Sequence, residues 1–352
     1  MEQHGLEQYV GLDVSQEAAY VCVVDREGKP VWQGKCESTP EAMGATIRER
    51  APAAMRIGLE TGPLSTWHWH GLNDMGLPVI CIDAYHTHGV LGMQLNKTDK
   101  NDAHGIARIM QAGWYKSVTV KSLKTHEMRA LYKARTGLVG MRTETGNQIR
   151  GILKTFGIVI KGSAGVSFEK RVQGIIDEGG ALADPLRALL DVFRAIRKQI
   201  KELDEKVLDH AWGCPKSRLL MSIPGVGPLT AANFVLAVDD ASRFKKSKST
   251  AAYFGLTPKR YQSGEVDFNG RISKRGDRLV RHYLYEAAGV LLTRTRKESA
   301  LRAWGLRIAK RSGMKKARVA VARKLAVIMH QMLLTGEEFC PFPAPSRHGV
   351  PA

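Results

Sequence analysis

The chain has 352 residues, 43% of them hydrophobic, and a formal net charge of +19. That length suffices for two or three buried cores. No stretch approaches the ~18 consecutive apolar residues of a membrane span, and five scattered cysteines with no CxxC pair exclude a disulfide scaffold or zinc ribbon and point to a reducing cytoplasm.

The elements read as follows. Tyr9 to Val14 and Ala18 to Val24 are β-rich, and the turn "DREGKP" returns the chain through "VWQGKC". The start, "MEQHGLEQ", has neither the basic nor the apolar region of a signal peptide. "TPEAMGATIRERA" predicts a helix with Thr39 as N-cap and Pro40 at its first position. "MRIGLET" is a buried strand ending at Glu60, "TWHWHGLNDMG" a helix and "LPVICID" a strand. "DKNDAHGIARIMQAG" is a helix closed by Gly113. Together these make an α/β domain, placed at residues 8–124.

Residues 125–212 change character. Leu131, Ala134, Leu138, Met141, Thr145, Ile149, Ile152 and Phe156 form one stripe of a long helix. Leu186, Leu189, Phe193, Ile196, Ile200, Leu203 and Val207 follow at alternating spacings of three and four, a coiled-coil-like seam. Such a seam closes either a helix hairpin or a contact between copies; an exposed apolar face of this length predicts assembly. Residues 213–337 form a third, mainly helical region. Its "IPGVGPLTAA" resembles a helix-hairpin-helix turn, whose amides can meet a phosphate. Residues 338–352, rich in proline, are expected to be a flexible tail.

Charge divides along the chain. Residues 1–100 carry 13 acids and 8 bases, whereas residues 294–324 carry 12 bases against Glu298 alone. The basic half predicts a polyanionic partner. The acids of the front half are specifically placed. Asp13 and Glu60 end strands, and Asp99 and Asp102 begin a helix. One of the two aspartates is accounted for by helix capping. Strand ends and adjacent helix starts share one crevice in open α/β sheets. Acids converging there repel unless cations offset them, and Mg²⁺ (or Mn²⁺) prefers such an all-oxygen set. Two such ions are the usual arrangement for phosphodiester cleavage.

"GLDVS", "GLETGP", "NKTDKNDAHGIARI", "IPGVGPLTAA", "AAYFGLTP", "SGE" and "RISKRGDRLVRHYLYEAA" occur in this order. Over roughly residues 8–335 the chain resembles the DEDD-type transposases of bacterial insertion sequences, the IS110 family, which includes bridge-RNA-guided recombinases and is related to pilin-gene invertases. The resemblance implies an α/β plus α protein: a RuvC-like, RNase H-fold N-terminal domain, a helical coiled-coil connector and a mainly helical C-terminal transposase domain. It assigns the four acidic roles to Asp13, Glu60, Asp99 and Asp102, and the nucleophile role to Ser263 of "YQSGE". Glu265 stands where the family often has a second glycine.

Ser263 is expected in a loop, with Lys259, Arg260, Arg271, Lys274, Arg275, Arg278 and Arg281 available to hold a phosphate. A serine hydroxyl without a local base needs activation from elsewhere, which the acidic metal site can supply. Ser273 competes for the role, but its basic surroundings favour phosphate contact. His68 and His70 lie on opposite helix faces, His86 and His88 in a surface loop, and His104 beside the acids. The leading expectation is a DNA transposase or recombinase working through phosphoserine links, with donor and target DNA, a guide RNA and a dimer or tetramer as partners, on the bacterial nucleoid. A Holliday-junction-type endonuclease using water is the alternative. A non-catalytic nucleic-acid-binding protein is a third, disfavoured by the four intact acids.

Overall fold

Three strands come first, β1 (Gln8–Val14), β2 (Ala18–Val24) and β3 (Pro30–Glu37), and pair as an antiparallel meander. Helix α1 (Pro40–Arg50) leads to β4 (Ala54–Glu60), which joins parallel to β1; α2 (Ser65–Asp74) leads to β5 (Val79–Ile82), parallel to β4. The sheet order is β3-β2-β1-β4-β5. Helices α3 (Ala84–Leu91) and α4 (Asp99–Ala112) complete this part. This computed structural model describes residues 7–92 and 98–343, and the chain divides into two units, Met1–Ser122 and Leu123–Ala352.

Strand alternation explains the layering of the first unit. Val10, Leu12, Ile57, Leu59, Val21 and Val23 point to one face and are buried with Met43 and Ile47 of α1 and Leu72 of α2. Tyr9, Cys22 and Val24 point to the other and are buried against Ala103, Ile106, Ala107 and Met110 of α4. Two glycines let α4 approach this closely. A Cβ on Gly11 would lie 2.1 Å from the Ala103 carbonyl oxygen, and one on Gly58 2.7 Å from the Met110 side chain. Thr39 caps α1 as its sequence predicts, its side chain accepting from Ala42 N–H, and Gly113 closes α4 at φ 69°. The stretch holding His86 and His88, expected as a loop, is α3, started by Asp83 accepting from Tyr85 N–H.

The second unit comprises α5 (Leu123–Thr155), α6 (Val166–Asp177), α7 (Ala183–Gly213), α8 (Pro215–Leu220), α9 (Pro228–Val238) and α10 (Lys248–Tyr253). A hairpin of β6 (Pro258–Ser263) and β7 (Val266–Ile272) follows, then α11 (Arg278–Thr293), α12 (Ala300–Ser312) and α13 (Met314–Thr335). The expectation that the heptad seam joins copies is corrected here. Leu186, Phe193, Ile200 and Val207 are buried within one chain, because α5 runs antiparallel against α7. The Tyr132 hydroxyl donates to the Val207 carbonyl at 3.1 Å, Arg135 pairs with Asp204 at 2.7 Å, and Gly146 leaves room for the Phe193 ring. The expected α5 stripe is also displaced. Tyr132, Gly146, Ile149 and Leu153 are buried, while Met141 and Phe156 are exposed. Counting apolar residues missed a face built from a satisfied tyrosine and a glycine.

The boundary placed at 212/213 falls inside the second unit. Tyr132, Val207 and Ala211 share a buried cluster with Ala232 and Leu236 of α9. A larger core joins α8, α9, α11 and α13 through Phe234, Leu284, Leu291, Val321 and Met329. The start of the expected flexible tail is held. Phe339 packs on that core and its N–H donates to Ser222 Oγ, and Ala300 N–H donates to the Pro341 carbonyl. Residues 344–352 of that tail lie outside the described residues. Among the described residues no helix is long and apolar enough to cross a membrane.

Gly11→Ala is expected to cost about 2–4 kcal/mol, since backbone rather than a flexible side chain blocks the new Cβ. Urea unfolding followed by circular dichroism measures this; a loss below about 0.5 kcal/mol would mean that α4 is not seated on β1 as described.

Candidate active site and nucleic-acid interface

Asp13 and Glu60 follow directly from the register. β1 and β4 run parallel with Leu12 beside Leu59, so the next residues, Asp13 and Glu60, stand at the same level at the carboxyl ends of adjacent strands. Gly11 and Gly58 face α4, and two residues on, Asp13 and Glu60 face the same side. Both are half-buried. The C-terminal part of α4 lies by the β2–β3 turn, where Arg108 donates to the Glu27 carbonyl and Gln111 to that of Arg26. Its N-terminus therefore lies at the opposite end of β1, the end carrying Asp13.

Asp99, Ala103 and Ala107 form one row of α4, and the last two straddle Gly11 on β1. Asp102, Ile106 and Met110 form the next row, and the last two cover Gly58 on β4. Asp99 and Asp102 lie one turn before the packed residues, toward the end of the sheet that carries Asp13 and Glu60. Thr98 caps the helix, accepting from Asn101 N–H at 3.2 Å. That cap is complete without either aspartate, so neither is needed as the N-cap. Among the described residues no three His, Cys, Asp or Glu side chains gather closely enough to hold a metal ion unaided. Carboxylates are the donor type that a hard divalent cation takes.

Ser263 is not in a loop. It is the last residue of β6 and pairs with Val266 across a two-residue turn, Gly264-Glu265, with Gly264 at φ 56°. The hairpin is exposed along nearly its whole length. Among the described residues no hydrogen bond engages the Ser263 hydroxyl. The sequence held the signal: "YQS" and "VDF" alternate about an SG turn, the pattern of a hairpin. This extension also spreads the basic residues. Lys259 is four residues from Ser263 on the strand, about 13 Å away. Arg260 forms an ion pair with Asp267 across the hairpin at 2.6 Å.

The segment after β7 is a braced corner. Ser273 N–H donates to the Thr257 carbonyl and Lys274 N–H to that of Gly255. A Cβ on Gly276 would strike the Tyr253 carbonyl at 2.0 Å, and one on Gly255 the Arg275 carbonyl at 2.1 Å. Arg281 donates to the carbonyls of Phe254, Arg275 and Gly276, so its guanidinium braces the corner. Asp277 caps α11 through the N–H groups of Leu279 and Val280 and pairs with Arg129 of α5 at 2.6 Å. Burial alone would raise the Asp277 carboxyl. The Arg129 hydrogen bond and charge, with the two cap bonds, outweigh burial and hold it below its ordinary range. Lys274 adopts a left-handed φ of 56°. With Arg278, Arg281, His282 and Tyr285 it lines a cavity of about 500 Å³, floored by Leu256, Ile272 and Val319.

The remaining candidates are structural. Gly225 of "IPGVG", at φ 91°, packs where a Cβ would meet Ala287 O at 2.8 Å on α11, so this glycine serves helix packing. His68 is buried with Nε2 at 3.1 Å from the Ser38 carbonyl, and His70 Nε2 lies 3.0 Å from that of Lys121. His104 sits beside Arg108; burial, then that charge, lowers its pKa. Burial pushes the Cys81 thiol up to about 11 and raises Cys22 as well, so both remain protonated core residues.

Asp13 and Glu60 at adjacent strand ends, in a chain whose other unit exposes a basic corner, are features of an enzyme that processes nucleic acid. Comparison with known proteins gives the family. Residues 10–158 match the profile of a DEDD-type domain described as "Transposase", and residues 217–304 that of the "Transposase IS116/IS110/IS902 family". The transposase for insertion sequence element IS1111A of Coxiella burnetii is 27% identical over 94% of this chain and 90% of its own length. A putative transposase of Sinorhizobium fredii is 32% identical over 69% of this chain and 64% of its own. The pilin gene-inverting protein of Moraxella bovis is 28% identical over 35% of this chain and 38% of its own. The chain belongs to the IS110 family of insertion-sequence transposases and is a DNA transposase. A DEDD domain points to divalent metal in general.

Two consequences are measurable. Arg129→Ala should cost about 2–3 kcal/mol at neutral pH, somewhat less than the ~3–5 kcal/mol for breaking a fully buried pair because the side chains are 20% and 17% exposed. Because the folded pKa of Asp277 lies below its unfolded value of about 3.9, this stabilisation is present above ~pH 4 and is lost as pH falls through the folded pKa. Asp277→Asn should flatten the acid limb of the stability curve; an unchanged limb would remove the pair from the account. Lys274→Gly with Arg278→Ala should lower the slope of log K against log[salt] for duplex DNA by about 2. Lys274→Gly alone should not lower the melting temperature, since glycine adopts its backbone conformation freely. An unchanged slope would place the corner outside the DNA interface.

Proposed function

We propose that this transposase cuts and rejoins DNA through a phosphoserine at Ser263, with divalent cations held by Asp13, Glu60, Asp99 and Asp102. What supports the reading is the placement of Asp13 and Glu60 after the paired Leu12 and Leu59 of adjacent parallel strands, with Asp99 and Asp102 in the first turn of the helix packed across those strands. The sheet order, with three antiparallel strands followed by two parallel ones, supports a RuvC-like, RNase H-type scaffold. Bound there, Mg²⁺ or Mn²⁺ would offset the acids' mutual repulsion and supply Lewis acidity toward the phosphate and the attacking hydroxyl.

The Ser263 oxygen forms a bond to phosphorus, and the bond from phosphorus to the 3′ oxygen breaks. The serine proton leaves, and the departing 3′ oxygen gains one. A 3′-hydroxyl of the partner strand then attacks the phosphoserine, regenerating the serine and a phosphodiester. Bond count is conserved, so no nucleotide triphosphate is required. Lys259, Arg260, Arg271, Lys274, Arg275 and Arg278 are phosphate contacts along the strand, spaced from the reacting phosphorus by the extended hairpin. Arg281 contributes by bracing the corner that presents Lys274 and Arg278. Exchange between two duplexes needs four cuts, which calls for a dimer or tetramer on the bacterial nucleoid, with a guide or bridge RNA selecting donor and target sites.

Ser263→Ala should abolish recombination and leave duplex binding within about twofold, and Asp13→Asn or Asp102→Asn should reduce cleavage at least ~10³-fold. The assay is denaturing electrophoresis of end-labelled DNA with peptide mapping of the adduct. An adduct on Ser273 or a tyrosine would overturn the nucleophile; cleavage by Ser263→Ala without any adduct would favour a junction-resolving nuclease that uses water.

A further inference from the structure

Hairpin parity places more than a serine on one face. Ser263 pairs with Val266 and Tyr261 with Phe268, so all four side chains share a side, while Arg260, Gln262 and Asp267 occupy the other. The Tyr261 and Phe268 rings lie 5.5 Å apart, tilted by 32°. They are 57% and 56% exposed, and Val266 is 50% exposed. In a chain of net charge +19, an open aromatic pair has two uses. It can staple the hairpin, since cross-strand aromatic pairs add modest stability. That role does not require exposure of both rings. Nor is a second copy a suitable cover. The hairpin and the corner beyond it carry Lys259, Arg260, Arg271, Lys274, Arg275 and Arg278, which would repel another copy and attract a polyanion.

We propose that Tyr261 and Phe268 form a stacking platform for an unpaired base of the DNA strand, next to the phosphate presented to Ser263. Tyr261 lies two residues from Ser263, about 7 Å along the strand, the scale of one nucleotide. Aromatic faces beside a positive backbone track are how proteins hold single-stranded nucleic acid without reading sequence. The platform therefore binds DNA whose bases are unstacked, and discriminates it from intact duplex. The location beside the reacting phosphate rests on the Ser263 reading; the platform itself does not.

The test uses full-length protein and a mixed-sequence DNA oligonucleotide carrying 2-aminopurine, as single strand, as duplex, and as RNA of the same sequence. Tyr261→Val with Phe268→Ile replaces the aromatic pair by β-branched residues that keep high strand propensity, and removes both π-faces. This variant should lose roughly 10- to 100-fold in single-stranded DNA affinity, persisting at high salt, with duplex affinity changed less than threefold. The interchange Tyr261→Phe with Phe268→Tyr should retain wild-type binding and quenching of 2-aminopurine. An unchanged single-strand affinity, an equal loss on duplex, a loss confined to RNA, or a change in oligomeric mass instead of affinity would each overturn the platform. Ser263→Ala should bind single-stranded DNA like wild type. If wild-type protein gives no adduct yet the stacking result holds, the nucleophile reading fails and the platform stands.

Discussion

The first unit depends on one close approach, the seating of α4 on β1 at Gly11. No residue with a Cβ fits there, because the Ala103 carbonyl and the Ala107 amide occupy the space a Cβ would fill. The consequence reaches beyond packing. A helix laid directly on the sheet has its rows fixed by the strands beneath it. Ala103 and Ala107 on β1, with Ile106 and Met110 on β4, orient the preceding turn as well. Asp99 and Asp102, in the first turn of α4, are therefore directed toward the end of the sheet that carries Asp13 and Glu60. The small residues of α4 and the glycines of two adjacent strands are the supports of the acidic group.

The second unit uses a comparable device at a different scale. Its chemistry-bearing corner is held by backbone contacts at Gly255 and Gly276, by Arg281 across three carbonyls, and by Asp277 joining a helix cap to an ion pair with α5. One of the cations that make the segment look like a phosphate grip, Arg281, is thus committed to holding it. The cations that face outward, Lys274 and Arg278 among them, are presented by this frame. One arginine-rich motif therefore contains two populations of charge, and only the outward group is available to a nucleic acid.

Much of the first unit was legible because its signals are local. Strand alternation, the Thr39 cap, the Gly113 stop and acids at strand ends each follow from a few neighbouring residues. The second unit resisted for physical reasons. A heptad seam has the same period whether it faces its own chain or another, and only the Tyr132, Arg135 and Gly146 contacts on α5 decide it. The buried face of α5 includes a glycine and a tyrosine whose hydroxyl is satisfied, which an apolar count does not register. Glycine after serine marks a turn, which by itself puts Ser263 in a loop. The alternating residues around that turn carried the additional information that two strands flank it. The stretch with His86 and His88 reads as a loop because α3 is short and has no strong periodicity; Asp83 as a cap is its clearest sign.

The two signs of charge answer opposite demands of the same substrate. A basic surface lowers the free energy of bringing DNA near, through long-range attraction and counterion release. An acidic group does the reverse: a carboxylate about 4 Å from a phosphate repels it by roughly 4 kcal/mol at an effective dielectric constant of 20. Four carboxylates at one sheet end would thus oppose the very group they are proposed to act on. Divalent cations held there would change the sign of that end. Their positive charge would be neutralised in part by the acids and in part by the phosphate, so substrate and cations would bind cooperatively. On this argument the acids are useful because they are unfavourable alone. They would hold cations weakly enough for the DNA to complete the shell, and would reject DNA when no cation is present. The basic corner after the hairpin needs no such partner, since the charge of Lys274, Arg275 and Arg278 already matches the phosphate backbone. What the hairpin adds is an exposed, extended support on which one hydroxyl and two aromatic faces point the same way.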